Sequence, residues 1–115
     1  MRVKFNDIKT EASTEIAGAR KDDGGKSPIY RGGLGYFPVA ISGVAAVSGF
    51  GATKYAWNGW RSVPDGLNRY TDALVRHLAA EAKGEILDAE SGLPHAWHVA
   101  WNALARVELL EAAKS

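Results

Sequence analysis

Hydrophobic and polar positions follow helical spacing in three stretches, all of them after residue 36. Residues 38–55, PVAISGVAAVSGFGATKY, predict a first helix. Pro38 suits its first turn, where a missing N–H costs nothing. Ile41, Val44, Ala45 and Ser48 keep the i, i+3, i+4, i+7 spacing of one inward face. Gly43, Gly49 and Gly51 weaken the helix but permit close approach of another backbone, and Lys54 and Tyr55 end it. The segment AWNGWRSVPDG reads as a loop punctuated by Pro and Gly. A second helix is predicted from about Leu67 to Lys83, with Leu67, Tyr70, Leu74, His77 and Leu78 on one face and Gly84 as its stop. The connector GEILDAESGL is acidic, with Glu85, Asp88 and Glu90 in it and Glu81 just before. A third helix is predicted from Pro94 to about Ala113.

Upstream the periodicity fades. MRVKFN suggests a short strand with Val3 and Phe5 on one face, and residues 19–35 read as a glycine-rich loop. That stretch is either a loosely draped arm or a weak phosphate site in which Arg20, Lys21, Lys26 and Arg31 act with glycine amides. The expected fold is therefore all-α: three main helices, the last two an antiparallel helical hairpin, with an irregular, partly extended N-terminal arm. Residues 1–36 form the arm and residues 37–115 the helical domain.

Composition narrows the chemistry. The chain has 115 residues, three histidines, no cysteine and a formal net charge of +1. Thiol nucleophiles, thiolate metal sites and disulfides are excluded. The near-neutral charge makes no case for nucleic acid or an anionic membrane. No apolar run reaches the roughly 18 residues of a membrane span, and MRVKFNDIKTE lacks a signal-peptide core, so a cytoplasmic protein is expected.

The third helix is apolar nearly all round except for one stripe. His95, His98 and Asn102 lie at i, i+3 and i+7, so they share a face. Burying three polar side chains costs free energy unless each is paired. The hairpin brings His77 to comparable depth, because each residue of helix rises about 1.5 Å. All three histidines are thus expected to meet beside the acidic connector. Imidazole and carboxylate together suit a divalent metal, Mn²⁺, Mg²⁺, Zn²⁺ or Fe²⁺; Mg²⁺ alone prefers the oxygens of Glu85, Asp88 and Glu90. Zinc-protease and serine-hydrolase patterns do not occur, and Ser91 reads as a turn or cap residue.

Trp97 and Trp101, four residues apart, fit a core or a subunit interface. Trp57 and Trp60 lie in a loop beside Lys54, Asn58 and Arg61, a combination suited to a base and its phosphates. The apolar third helix calls for more partners than one small chain offers, so a homodimer or homotetramer is expected.

Several of these residues form a recognisable set. Gly51, Ala52, Lys54 and Tyr55, then Arg76 with His77, then Gly84, Glu85, Asp88 and the block Glu90-Ser91-Gly92-Leu93-Pro94-His95 with His98 and Asn102 resemble a family of small phage proteins. That family is the N-terminal domain of phage dATP/dGTP diphosphohydrolases. Asp23, Gly25, Lys26 and Pro28 resemble its opening segment, so the likeness covers about residues 22–112. The family is in turn similar to the all-α pyrophosphohydrolases of the MazG type. Those hold Mg²⁺ or Mn²⁺ with paired-helix carboxylates while water attacks a nucleoside triphosphate. Here the corresponding helices offer His77 with Glu81, and His95 with His98.

The resemblance implies a metal-dependent hydrolase of purine deoxynucleoside triphosphates, acting in the cytoplasm of a phage's host. His77, Glu85, Asp88, His95 and His98 would hold a divalent metal, Mg²⁺ or Mn²⁺ before Zn²⁺ or Fe²⁺. Glu85, Asp88 and His98 would serve catalysis. Lys26, Lys54, Arg61 and Arg76 would hold phosphates, with Asn58 beside Trp57 or Trp60 at the base. Two other readings stand beside it: a nucleotide-sequestering protein without catalysis, and a structural protein whose histidines and Asn102 form a buried hydrogen-bond network.

Overall fold

Pro38 does open a helix, and three long helices follow from there. In the computed structural model, α1 runs Pro38–Tyr55, α2 Gly66–Ala82 and α3 His95–Ala112. The structure describes residues 24–114. The strand expected over MRVKFN and the cations Arg20 and Lys21 fall outside them. The described chain divides into two units, one reaching Pro38 and one beginning at Val39. No strand occurs among the described residues, and no described helix is long and apolar enough to cross a membrane.

The first unit is less irregular than its glycines suggest. Tyr30–Leu34 forms a π-helical turn, closed by the Gly35 N–H donating to the Tyr30 carbonyl at 2.6 Å. Lys26 and Arg31 belong to this unit, and both are exposed.

In the second unit, α1 presents a different face from the one its spacing predicts. Gly43 and Val47 are buried, whereas Ile41 and Ala45 are exposed. The cause is Trp97 on α3. A Cβ on Gly43 would stand 2.8 Å from the indole Cγ, so only glycine lets that ring lie against the helix. Five residues on, Ser48 Oγ accepts the Trp101 Nε1–H at 3.0 Å.

The hairpin of α2 and α3 is antiparallel, as its contacts in register show. A Cβ on Gly66 would lie 3.4 Å from Leu109, Thr71 Oγ1 accepts the Arg106 Nε–H at 2.7 Å, and His77 meets His95. Gly84, at φ +91°, stops α2. Its N–H donates to Glu81 and the Glu85 N–H donates to Ala80, satisfying two carbonyls that a helix end would otherwise strand. The connector then folds on itself. Leu87 and Pro94 form an antiparallel bridge, and the His95 N–H donates to Ile86 at 2.9 Å. That bridge holds Pro94 extended, so it precedes α3 rather than sitting in its first turn.

The third helix reverses the usual distribution of polarity. Its buried line is His95, His98, Asn102 and Ala105, while Leu104, Val107 and Leu110 are exposed. Leu78 on α2, expected to face inward, is also exposed. The loop before α2 carries a short 3-10 turn, Gly59–Ser62.

Candidate functional site

A buried polar line must find partners, and it finds them where α2, α3 and the connector converge. His77 Nδ1 and His95 Nδ1 are 2.8 Å apart, and the His77 and His98 rings stack with centroids 4.4 Å apart. Two bare nitrogen lone pairs would repel at that separation, so the His77–His95 approach requires a proton or a cation between them. Asn102 donates Nδ2–H to the His98 carbonyl at 2.8 Å, one turn back along its own helix.

The acidic connector supplies the oxygen atoms. Asp88 Oδ2 accepts the Ser91 N–H at 2.8 Å and lies 3.9 Å from His98 Nε2. Ser91 Oγ sits 2.7 Å from the same His98 Nε2 while accepting the Leu93 N–H at 3.1 Å. Ser91 therefore acts as more than a turn residue: it links Asp88 to His98. The D-x-x-S spacing carries this signal in the sequence, because a side-chain oxygen can accept an amide three residues on. Glu85 approaches His95 from the other edge of the ring, its Oε2 3.7 Å from Nε2. That Nε2 is buried and has no hydrogen-bond partner.

Burial, followed by the neighbouring His98 imidazole, lowers the pKa of His77. Burial likewise lowers that of His98. For Asp88, burial pushes the carboxyl up, but the Ser91 N–H and side chain and the nearby imidazoles outweigh it and hold it low. Near neutral pH His77 and His98 are thus uncharged beside an ionised Asp88.

These shifts fix the sign of the stability–pH relation. With folded values below the ordinary 6.5 of histidine, the unfolded chain binds more protons than the native one. The stabilisation is complete above pH 6.5 and is lost as pH falls toward the folded values; Asp88, also depressed, adds a second loss below its ordinary 3.8. Melting temperature should therefore fall between pH 7.5 and 5.5. His77→Gln should flatten that slope, and an unchanged slope would contradict the assignment.

Do these side chains fit a metal? His77, Asp88 and His95 offer ligand atoms that all lie within 4.8 Å of one another. An uncharged His77 and an ionised Asp88 are in the forms a divalent cation needs. Glu85 is the carboxylate nearest to the outer edge of the His95 ring, but at 3.7 Å it does not hydrogen-bond Nε2. Of the five metal candidates from the sequence, three converge directly. Glu85 lies behind one of them, and His98 has its Nε2 on Ser91.

A cleft of about 370 Å³ opens over this cluster, lined by His77, Asp88 and His98 together with Lys54, Arg76 and Glu90. Lys54 pairs with Glu90 across it. A second, aromatic hollow of about 160 Å³ is lined by Tyr55, Trp57, Asn58, Trp60 and Trp101. Arg61 lines neither; its guanidinium lies 4.6 Å from the Trp60 ring centroid and 3.6 Å from Glu108. Trp60 packs edge-on against both Tyr70 and Trp101, which makes it as much a core residue as a wall.

The family described as "dATP/dGTP diphosphohydrolase, N-terminal" matches residues 17–115, a span that includes every element of this cluster. The chain belongs to that family. No curated protein and no solved structure matches it.

Proposed function

We propose that this chain hydrolyses purine deoxynucleoside triphosphates with a divalent cation, the phosphate chain lying in the histidine cleft. One observation carries the reading: a single cavity gathers His77, Asp88 and His98 with the cationic side chains of Lys54 and Arg76. The description of the family supports the substrate class.

His77, Asp88 and His95 would hold the cation, Mn²⁺ or Mg²⁺. When bound it would neutralise phosphate charge and acidify a water. Lys54 and Arg76 meet the phosphate oxygens, Arg76 with a planar fork suited to two of them. An attacking water forms one P–O bond, another P–O bond breaks, and the water gives up a proton. His98, kept uncharged by burial and braced by Ser91, accepts that proton. Glu85 stands one step back, its carboxylate a negative charge 3.7 Å from His95. The products are a nucleoside monophosphate and pyrophosphate, or a diphosphate and phosphate.

The test is release of phosphate or pyrophosphate from a dNTP panel with Mn²⁺ or Mg²⁺. Turnover of dATP and dGTP ahead of dCTP and dTTP is the expected result. Tight binding with no release over hours at micromolar protein would assign the chain to sequestration instead.

A further inference from the structure

Glycine inside a helix needs a reason, because it is less favourable there than alanine by roughly 0.5–1 kcal/mol. Gly43 has one in the Trp97 ring. Gly51 has no such packing reason, since a Cβ built on it would meet nothing within 4 Å. The space in front of Gly51 is not idle, however. Gly51 lines both the histidine cleft and the aromatic hollow, and Tyr55 and Trp101 are likewise shared between them. The two cavities are therefore neighbours with three residues in common, and of these Gly51 alone has no side chain.

The hollow itself is prepared for a flat ligand. Trp57 is 72% exposed, an unusual degree for so large an apolar ring. It is flanked by Ala56 and Asn58, both at φ +64°. Asparagine adopts the left-handed region readily, but alanine does so at a cost, and such strain collects at binding sites. Both also line the hollow, and the Asn58 side chain carries a donor and an acceptor.

We infer that Gly51 is the saddle over which one ligand spans both cavities, its planar base in the aromatic hollow and its phosphate chain in the histidine cleft. Trp57 and Tyr55 supply stacking surface and Asn58 reads the edge of the base. This rests on the proposed function and extends it, assigning the ring of a nucleotide to its own subsite. A side chain at position 51 would fill the saddle and separate the subsites.

The experiment compares a non-hydrolysable dATP analogue with inorganic tripolyphosphate, each with Mn²⁺, by calorimetry. The wild-type chain should bind the analogue at least about tenfold more tightly, since base stacking on an aromatic residue commonly contributes that much. Gly51→Leu should reduce the ratio to near one while Mn²⁺ affinity stays within about twofold. Gly49→Leu, on the same helix and facing open space but lining neither cavity, should keep the wild-type ratio. Trp57→Ala, an exposed change, should reproduce the loss and carries the test should Gly51→Leu not fold. A wild-type ratio near one, or one untouched by both variants, overturns the saddle and leaves hydrolysis standing. A wild-type chain that binds no nucleotide overturns both.

Discussion

Asp88→Asn should lower Mn²⁺ affinity and dNTP turnover by at least about 100-fold. Loss of a partner one shell out from a metal commonly costs 10–100-fold, and Asp88 would be a ligand, with the only carboxylate in the three-residue donor set. The substitution is chosen to spare the fold. An asparagine Oδ1 can still accept the Ser91 N–H that pins the connector. Mn²⁺ titration followed by electron paramagnetic resonance measures the affinity, and circular dichroism checks the helices. Undiminished Mn²⁺ binding by a folded Asp88→Asn chain would remove the metal from the proposal.

The second large effect is on stability. Gly43→Ala places a methyl group 2.8 Å from Trp97 Cγ and 2.9 Å from Cδ2, closer than such carbons approach. Overpacking of this kind typically costs about 1–3 kcal/mol, more than alanine's helical advantage returns. For a domain of this size each kcal/mol is about 4–8 °C of melting temperature. Thermal melts should show Gly43→Ala several degrees below wild type, and Gly43→Ala combined with Trp97→Leu should recover part of the loss. An equal or higher melting point for Gly43→Ala would mean that Trp97 lies elsewhere.

That pair of residues also shows what the sequence could and could not convey. The bounds of α1 were legible, since Pro38 and the last periodic residues mark them. Its inward face was not. A helix apolar on every side has no directional signal, and its orientation is decided by a tryptophan more than 50 residues away. The hairpin was legible in two ways, through Gly84 and through polar residues at i, i+3 and i+7 of α3 that could only be buried together. The meeting of His77, His95 and His98 followed from that register. Ser91 escaped because its turn role is sufficient in isolation, and only the fold brings His98 to its hydroxyl. Trp60 read as a loop aromatic, yet three rings pack edge to edge through it, a contact that depends on where α2 and α3 cross.

The hairpin has a consequence for how the site is assembled in time. His77 and His95 are 18 residues apart in sequence, whereas the Ser48–Trp101 bond that seats α1 spans 53. Closing the shorter loop sacrifices less chain entropy, and contacts close in sequence form sooner. The donor cluster belongs to the part of the chain with the shorter loop to close. The aromatic hollow, lined by Trp101 as well as by α1 and the loop after it, is complete only when α1 docks. On the proposed reading, the cation site depends on the shorter loop alone and the base site on both.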